Sequence, residues 1–373
     1  MYPPRAEVEI DLSAISHNVT VLADAASRSG AATMAVVKAD GYGHGAVPVA
    51  RAAVRGGATW LGVCSVEEAL ELRESGISTP VLSWLNSMDA DFAGALRAGV
   101  DLSVSSAAEL GRIVEAAART GIRARVHLKC DTGLCRNGCP EAEWPALVKA
   151  AAATREVEVV AVWSHFACAD EPGHPSIDAQ EARFDAAYRH VRRAGLAPSR
   201  HLANSAATLT RPASHFDLVR PGIAIYGLNP VPTGDDLRPA MTFRSHVVLV
   251  KRLAAGESVS YGHTWTAPRD TTVALVPAGY GDGVPRSLSG RMSVWLDGAR
   301  RPVVGRVCMD QIVVECGEWE PSLGAEVVLF GQGDAGEPTA REWADRLGTI
   351  DYEIVTGMFR PRVRRRYVGT EGL

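Results

Sequence analysis

Several features that mark common protein classes are absent from this 373-residue sequence. No apolar run approaches the ~18 residues that a membrane-spanning helix requires. The opening stretch MYPPRAEVEIDL lacks the apolar core of a secretory signal peptide. The net charge is −4, whereas a nucleic-acid-binding domain is normally basic. The sequence therefore predicts neither a membrane nor a nucleic-acid partner.

Organised cysteine patterns are absent as well. The seven cysteines are scattered, and the trio Cys130, Cys135 and Cys139 fits no standard zinc spacing. We therefore predict no metal site. An odd number of cysteines without an export signal predicts reduced thiols in the cytoplasm.

Short apolar runs alternate with helical stretches over the first two-thirds of the chain. Two of these stretches, SVEEALELRESG and SAAELGRIVEAAARTG, begin with a capping serine and end at glycine. Eight β-then-α repeats predict a (β/α)8 TIM-type barrel. A doubly wound sheet is the alternative, but no G-x-G-x-x-G follows a first strand. The apolar runs are TMAVVK (33–38), TWLGV (59–63), PVLSW (80–84), DLSV (101–104), ARVHLK (124–129), EVVAVWS (158–164), RHLANS (200–205) and FDLV (216–219).

The pattern changes after about residue 237. MTFRSHVVLVKRL, TTVALVPAGYGDG, RMSVWLDGARRPVVGRV and EVVLFGQG are strand-like and separated by turn signals. Helical pattern returns only at TAREWADRLG and IDYEIVTGMF. We therefore predict an α/β barrel domain over residues 1–237 and a mainly β domain over residues 238–373. The N-terminal strand AEVEIDL is a candidate to pair with the second domain.

Polar residues fall at or just beyond the ends of the predicted barrel strands. In a TIM-type barrel the active site lies at the carboxyl ends of the strands, so residues there point at one cavity. Six such residues favour one shared site over six unrelated surface positions. They are Lys38, Lys129, His165, Asn204, Ser205 and Arg220.

Nine motifs, taken in order over nearly the whole chain, resemble the bacterial alanine racemases. They are AVVKADGYGHG, KCDTGLCRNG, WSHFACADE, ANSAATL, LVRPGIAIYG, VSYGHTW, VPAGYGDG, GRVCMDQ and DYEIVTGMF. The resemblance implies a barrel-plus-β-domain enzyme that depends on pyridoxal 5′-phosphate (PLP) and interconverts L- and D-alanine. It also implies a homodimer with shared active sites.

The same resemblance assigns cofactor contacts. Lys38 resembles the lysine that holds PLP covalently, a role that suits an amine which is nucleophilic once neutral. Tyr42 resembles the phosphate-binding tyrosine, and Arg220 the arginine at the pyridine nitrogen. Because arginine only donates hydrogen bonds, that nitrogen should stay unprotonated and PLP should be a weaker electron sink. The phosphate is expected near Asn204, Ser205, Gly222, Ile223 and Tyr352.

The resemblance implies two bases on opposite faces of the cofactor, Lys38 and Tyr261. An unperturbed tyrosine has a pKa near 10, so Tyr261 needs help to act as a base. His165 and Arg220 resemble the hydrogen-bond network behind that hydroxyl. Tyr261 is expected to come from the other subunit of a head-to-tail dimer.

Three further residues are assigned to the substrate side of the site by resemblance. Arg136 resembles the arginine that contacts the PLP phenolic oxygen and the substrate carboxylate. Lys129 resembles a position that is often carbamylated to orient this arginine, with a plain lysine salt-bridged to an acid as the alternative. Met309 resembles the residue whose backbone amide meets the substrate carboxylate from the partner chain.

Three segments depart from the family pattern. The chain has KADGYGHG where many relatives have KANAYGHG, and GYGDG where many have GYADG. Its C-terminal GMFRPRVRRRY differs from the usual ending with a single R-x-P-R. The basic run RPRVRRR (360–366) by itself predicts a solvated tail rather than a binding patch.

The motifs leave other functions on the same scaffold open. One is racemisation of another small amino acid such as serine, or decarboxylation on the related barrel. Tyr352 argues against serine, because a bulky hydroxylated ring there should keep the pocket small. Another is a non-catalytic PLP-binding protein, but such proteins resemble the first domain only and lack a counterpart of Tyr261.

Overall fold

The protein is described by a computed structural model that covers residues 4–358 and 360–370. Residues 1–3 of the opening stretch and Phe359 of the motif DYEIVTGMF lie outside the described residues. The chain forms two compact units. The barrel unit contains Ala14–Gly41 and Gly45–Arg238, and the β unit contains the segment up to Ser13, Tyr42–His44 and the chain from Pro239 onward.

Eight strands and the helices between them build the barrel unit. After β1 (Glu7–Asp11), which belongs to the β unit, the strands are β2 (Ala32–Val36), β3 (Trp60–Val63), β4 (Val81–Ser83), β5 (Val100–Val104), β6 (Ala124–Lys129), β7 (Val157–Trp163), β8 (Ser199–His201) and β9 (Leu218–Val219). The helices are α1 (Leu12–Ser27), α2 (Lys38–Tyr42), α3 (Ala46–Arg55), α4 (Val66–Glu74), α5 (Phe92–Arg97), α6 (Ala107–Thr120), α7 (Trp144–Ala153), α8 (Pro175–Arg193) and α9 (Ser205–Thr210).

The strands of this unit close into a barrel. Each strand from β2 to β8 pairs in parallel with the next, and β9 pairs with β2. Backbone hydrogen bonds from Asp217 to Arg200 (3.1 Å) and from Arg220 to Ala203 (2.9 Å) bridge β9 and β8. The predicted TIM-type barrel is therefore confirmed, and the doubly wound alternative is wrong.

The predicted helix starts in this unit are formed by local hydrogen bonds. Ser65 caps α4 by accepting from the Glu68 amide, and Ser106 caps α6 by accepting from the Glu109 amide. Helix α6 ends at Gly121, which adopts the left-handed conformation with φ 69°. Helix α4 has Ser75 as its C-cap, and Gly76 follows in the left-handed conformation with φ 84°.

The β unit is built mainly of strands. They are β10 (Met241–His246), β11 (Leu249–Leu253), β12 (Ser258–Val259), β13 (Trp265–Thr266), β14 (Thr271–Val276), β15 (Ser293–Leu296), β16 (Ala299–Val304), β17 (Ile312–Gly317), β18 (Glu326–Phe330) and β19 (Arg364–Val368), with α10 (Ala340–Leu347) and α11 (Asp351–Thr356). Nine of the strands form one sheet in the order β11-β14-β17-β16-β15-β18-β10-β1-β19. Strand β1 thus pairs antiparallel with β10 and parallel with β19.

The basic C-terminal run is part of this sheet, so the predicted solvated tail is wrong. Strand β19 lies beside the acidic strand β1, with Glu9 opposite Arg366 in the register. Arg366 forms ion pairs with Glu7, at 2.9 Å, and with Glu9. Cross-strand pairs of opposite charge stabilise adjacent strands. The run is therefore neutralised by carboxylates from the other end of the chain.

The helices give no membrane signal. Within residues 4–358 and 360–370, no helix is both long and apolar enough to span a bilayer.

Candidate active site

The six predicted strand-end residues do lie at one end of the barrel. Lys129 is the last residue of β6, and Arg220 directly follows β9. The others lie within a few residues of the ends of their strands: Lys38 after β2, His165 after β7, and Asn204 and Ser205 after β8. The carboxyl ends of eight parallel strands meet at the barrel mouth, so chain order alone brings these side chains together.

Lys38 is followed by a left-handed turn. The φ and ψ angles are 53° and 51° at Ala39, 50° and 49° at Asp40, and 61° and 45° at Gly41, and φ is 51° at Tyr42. These values are those of a left-handed helix, which costs about 1–2 kcal/mol for each residue with a Cβ atom. Asp40 and Gly41 are residue types that tolerate this conformation. The turn sits directly beside the candidate cofactor lysine, where such strain is typical.

Hydrogen bonds hold this turn in place. Glu68 accepts from the Ala39 amide through Oε1 and from the Cys64 amide through Oε2, both at 2.7 Å. Asp40 Oδ1 accepts from the Ala46 amide at 2.9 Å. Sequence reasoning missed Glu68, because the pattern S-V-E-E reads as a capping box that starts α4. Its glutamate instead ties the chain after Lys38 to the end of the neighbouring strand.

The residues after β8 and β9 form a donor set suited to an anion. Asn204 is the N-cap of α9, since its Oδ1 accepts from the Ala207 amide at 3.1 Å. Ser205 Oγ accepts from the amides of Gly222, at 2.8 Å, and Ala224, at 3.3 Å. Both lone pairs of this hydroxyl are thus engaged, which leaves its hydrogen to donate. A hydroxyl donor beside Gly222 fits the phosphate of PLP.

Arg220 is buried, with 4% of its surface exposed. Its Nη1 donates to His201 Nδ1 at 3.0 Å, and its Nη2 lies 2.8 Å from Ser164 O, 3.1 Å from Leu202 O and 3.3 Å from His165 Nδ1. Burial lowers the pKa of Arg220 to about 9, so the guanidinium stays charged at neutral pH. Its Nε–H has no hydrogen-bond partner among the described residues. That unused donor fits the unprotonated ring nitrogen of PLP.

His165 is a neutral imidazole in this environment. Burial, and next the charge of Arg220, hold the pKa of His165 well below its ordinary value. Because Arg220 can only donate, Nδ1 of His165 is the acceptor and its hydrogen sits on Nε2. The Nε2–H of His165 is therefore a donor that the contact with Arg220 does not use.

Lys129 has no acidic partner in an ion pair within the described part of the chain. Its Nζ donates to Asn137 Oδ1 and lies 4.2 Å from the centroid of the Trp163 ring. Burial and then the charges of Arg220 and Arg136 lower the pKa of Lys129 to about 7. The described residues thus show no salt bridge from Lys129 to an acid, and whether this lysine is carbamylated stays a prediction. An amine that is partly neutral near pH 7 can react with carbon dioxide to form a carbamate.

Arg136 lies in the loop after β6 and is exposed. The described residues give its guanidinium no hydrogen bond and no ion pair. Its planar set of N–H donors matches a carboxylate, so Arg136 is available to a carboxylate ligand.

The β unit brings Tyr261 and Met309 onto neighbouring loops. Tyr261 is 72% exposed and Met309 is 52% exposed. The preceding residue, Ser260, donates to the Arg306 carbonyl at 2.9 Å, which ties the two loops together. Both side chains are therefore accessible to a binding partner.

Tyr42 and Tyr352 form a second pair in the β unit. Their ring centroids lie 6.1 Å apart with an interplanar angle of 50°. Burial, and next the proximity of Tyr352, raise the pKa of Tyr42, so its hydroxyl stays protonated and able to donate. A protonated phenol suits contact with a phosphate oxygen.

The predicted site residues therefore fall into two groups. The barrel unit holds Lys38, Lys129, Arg136, His165, Asn204, Ser205, Arg220, Gly222 and Ile223, and the β unit holds Tyr42, Tyr261, Met309 and Tyr352. Within residues 4–358 and 360–370, no group of three or more His, Cys, Asp or Glu side chains is arranged to hold a metal ion.

Comparison with known protein families gives matches over both units. The alanine racemase N-terminal domain matches residues 10–230, and the alanine racemase C-terminal domain matches residues 240–367.

Individual proteins match over almost the full length. An alanine racemase of Salinispora arenicola is 54% identical over 371 residues, which are 98% of this chain and 99% of that protein. The crystal structure of alanine racemase from Streptomyces lavendulae superposes with a TM-score of 0.96 at 48% identity, covering 100% of this chain and 99% of that one. Alanine racemase from Streptomyces coelicolor gives a TM-score of 0.93 at 51% identity, covering 97% of this chain and 98% of that one.

Proposed function

Since this chain belongs to the alanine racemase family, whose members are PLP-dependent isomerases, we propose that it interconverts L-alanine and D-alanine at the mouth of its barrel. The observation that most supports the proposal is the environment of Arg220. A buried, donor-only guanidinium with an unused Nε–H suits a ring nitrogen that stays unprotonated.

The residues of the barrel unit would hold the cofactor from both ends. Lys38 anchors it covalently, on a turn that Glu68 fixes. The Ser205 hydroxyl and the Ile223 amide would bind its phosphate beside Gly222, whose own amide donates to Ser205. Asn204 holds α9 in place, and Tyr42 and Tyr352 of the β unit would contribute phenolic donors. When bound, PLP supplies an electron-withdrawing ring that makes the α-hydrogen of the attached amino acid acidic.

Lys38 and Tyr261 would carry the proton transfers. One removes the α-hydrogen from one face of the substrate, and the other delivers a hydrogen to the opposite face. A tyrosine needs its ionised form stabilised to act as a base, and the Nε2–H of neutral His165 is a suitable donor to the phenolate oxygen. Arg220 fixes the tautomer of His165 and so fixes this donor.

Arg136 and Met309 would bind the substrate carboxylate. The guanidinium of Arg136 has no partner within the described chain, and its donors match a carboxylate. Met309 would offer its backbone amide. A carbamate on Lys129 would place a negative charge beside Arg136 and orient it, and the low pKa of Lys129 favours the neutral amine from which a carbamate forms.

The assembly that suits these residues is a homodimer with shared sites. The exposed Tyr261 and Met309 of one subunit would complete the barrel site of its partner. In this arrangement the domain of residues 1–237 binds the cofactor, and the domain of residues 238–373 caps the site of the other subunit.

The cytoplasm is the proposed location, and supply of D-alanine the proposed role. The free thiols support the location. Cys130 and Cys139 are both buried at adjacent, bridged positions and form no disulfide with each other. Neighbouring cysteines without a disulfide suit a reducing compartment.

Two measurements test the catalytic proposal. Purified protein with PLP is incubated with single L-amino acids, and the products are separated by chiral chromatography. L-alanine should give D-alanine, whereas preferential turnover of serine, loss of carbon dioxide, or no turnover of any amino acid would favour the respective alternative. In parallel, borohydride should fix PLP to Lys38, and a label on another lysine in the peptide map would overturn that assignment.

A further inference from the structure

Inside the barrel, a line of hydrogen-bonded side chains leads from Arg220 away from the mouth. Arg220 Nη1 lies 3.0 Å from His201 Nδ1, His201 Nε2 lies 2.9 Å from His127 Nδ1, and His127 Nε2 lies 3.1 Å from Asp101 Oδ2. All four side chains are buried. We call this line, Asp101–His127–His201–Arg220, the relay. Apart from Arg220, none of its members has a role in the proposed function.

The direction of every hydrogen bond in the relay follows from its two ends. Arg220 can only donate, so Nδ1 of His201 accepts and its hydrogen sits on Nε2. That hydrogen is donated to Nδ1 of His127, which therefore carries its own hydrogen on Nε2. The carboxylate of Asp101 accepts this last hydrogen. Both histidines are thereby neutral and locked as Nε2–H tautomers.

The far end of the relay forms an ion pair. Arg125 donates to Asp101 through Nε at 2.9 Å and through Nη2 at 3.2 Å. Asp101 and Arg125 lie near the start of β5 and β6, whereas Arg220 lies at the opposite end of the barrel. The relay therefore connects the two ends of the barrel interior.

The relay connects the buried positive charge of Arg220 to a carboxylate. Its remaining partners, the carbonyls of Ser164 and Leu202 and the imidazole of His165, are all neutral. In the described part of the chain no carboxylate lies within ion-pair distance of Arg220. A buried cation without a counter-charge is costly, and Asp101 is the carboxylate that a continuous line of aligned N–H dipoles connects to it.

Aromatic neighbours keep the two imidazoles in this alignment. The Trp163 ring stacks on His201 with centroids 5.5 Å apart and an interplanar angle of 14°. Trp163 is itself fixed by a 3.0 Å hydrogen bond from its Nε1 to Ser103 Oγ. Trp60 meets His127 edge-on at 5.5 Å. The rings cannot rotate freely, so the tautomers are set by the hydrogen bonds and not by reorientation.

We propose that Asp101 and His127 are positioning residues of this racemase, which act through His201 to fix the orientation and charge of Arg220. The role rests on the proposed function, in which the free Nε–H of Arg220 meets the cofactor ring. Without the carboxylate, the line of donors loses its acceptor and Arg220 loses the partner that holds its Nη1.

The decisive variant is Asp101→Asn. The asparagine carbonyl should take the Oδ1 position, where Arg125 Nε donates at 2.9 Å. Its amide should then take the Oδ2 position, which faces His127 and, at the longer distance of 3.2 Å, Arg125 Nη2. Nε2 of His127 must then accept, its hydrogen moves to Nδ1, and Nε2 of His201 becomes an acceptor. The hydrogen of His201 then sits on Nδ1 and faces a donor of Arg220, which breaks that contact. A matched control is Glu158→Gln, because Glu158 pairs with the same Arg125 at 3.6 Å but lies outside the relay.

Tautomers are measured on the holoenzyme by ¹⁵N NMR of labelled histidine, beside kcat, KM and the absorption spectrum of bound PLP. Wild type and Glu158→Gln should show His127 and His201 as neutral Nε2–H tautomers. Asp101→Asn should convert both to the Nδ1–H form, shift the PLP spectrum, and lower kcat by about 10–100-fold, the usual cost of removing an orienting partner. Its KM should change by less than about threefold, because the substrate contacts are untouched.

Two results would overturn the proposal. One is an Asp101→Asn enzyme with unchanged kcat and tautomers, and another is an equal loss of activity in Glu158→Gln. Should Asp101→Asn fail to fold, the wild-type spectrum still decides, because an Nδ1–H tautomer or an imidazolium at His127 or His201 contradicts the relay. If the proposed function itself fails, wild type does not racemise alanine, whereas failure of the relay leaves wild type active.

Discussion

Buried lysine and arginine side chains occur in the barrel unit but not among the described residues of the β unit. In the β unit, arginines lie at the surface beside carboxylates, as Arg362 does beside Asp282 and Asp310, and Arg366 beside Glu7. In the barrel unit, the side chains of Lys129 and Arg220 are buried and have no ion-pair partner in the described chain. The first arrangement stabilises a sheet edge, and the second suits a ligand that brings negative charge.

Two aromatic residues of the candidate site region also differ in exposure. Barrel tryptophans such as Trp163 are buried and hold other side chains in place. In the β unit Tyr261 is left on the surface. In the proposed dimer, the cations of one barrel and the exposed phenol of the partner's β unit would belong to one site. Subunit exchange and single substitutions can test that arrangement.

The largest effect is expected from restoring a site out of two inactive chains. Lys38→Ala and Tyr261→Ala should each be inactive, since each removes one proposed base. After subunit exchange, each mixed dimer would hold one doubly damaged site and one intact site. Half of the dimers are mixed at most, so activity should return to about a quarter of wild type, from the statistics of a symmetric dimer. The measurement is the racemisation rate of the mixture.

Exchange must be confirmed independently, for example with subunits that carry different tags. Mixed dimers without activity would mean that Tyr261 serves the barrel of its own chain. In that case the exposure of Tyr261 has a different cause from the one proposed.

The second prediction tests the hydroxyl of Tyr261. Tyr261→Phe keeps the ring and removes the hydroxyl, so PLP binding should be unchanged. Racemisation should fall by about 10²–10⁴-fold, the usual contribution of general acid–base catalysis. Rates are measured separately from L- and D-alanine, and the PLP spectrum serves as the control. Turnover close to wild type in both directions would show that Tyr261 is not a base.

The sequence predicts those parts of the molecule whose structure is determined by short segments of the chain. Each of the eight barrel strands overlaps one of the predicted apolar runs, and chain order then places Lys38, Lys129 and Arg220 at one mouth. The predicted fold is accordingly confirmed, whereas the roles of the site residues stay predictions.

Features that depend on distant pairing could not be predicted. The basic run was misinterpreted because its partners Glu7 and Glu9 lie more than 350 positions earlier in the chain. Glu68 reads as part of a helix start until the adjacent strands place it beside Ala39. Asp101 and His127 are ordinary strand residues in sequence, and their connection to Arg220 exists only once the barrel is closed.

The third prediction uses the buried amine of Lys129. Its lowered pKa, about 7, means that the amine is protonated below that pH and neutral above it. A carbamate forms only from the neutral amine, so carbamylation should be present at pH 8 and lost as the pH falls through about 7. The ¹³C NMR signal of enzyme equilibrated with ¹³C-bicarbonate measures it directly.

Lys129→Ala provides the control for the carbamate and a test of its role. The variant should lack the ¹³C signal, and its kcat/KM should fall by about 10–100-fold because Arg136 loses an orienting partner. A signal that persists in Lys129→Ala belongs to another amine. A wild-type enzyme without any signal at pH 8 would show that Lys129 acts as a plain amine.

The smallest effect is expected where the β unit departs from the family pattern, at Gly281. A Cβ atom at this position would lie 2.7 Å from Arg362 Nη1 and 3.0 Å from the Met309 carbonyl oxygen. Because Gly281 has no side chain, Arg362 can reach Asp282 and Asp310. Gly281 and Arg362 belong to two of the three segments that depart from the family pattern, GYGDG and GMFRPRVRRRY. Gly281→Ala should displace this guanidinium, the end of a flexible side chain, and lower the melting temperature by about 1–3 °C.

Two comparisons make this last prediction specific. Gly279→Ala should destabilise the protein much more, because its Cβ atom would lie 2.2 Å from the Cys308 carbonyl oxygen and 2.5 Å from that of Met309, and backbone cannot move as cheaply. In an Arg362→Ala background, Gly281→Ala should have almost no effect, since coupled residues are not additive. Melting curves of the four single and double variants measure both. If Gly281→Ala lowers the melting temperature equally with and without Arg362, the added methyl group displaces the Met309 backbone. In that case the glycine is not needed to make room for the Arg362 side chain.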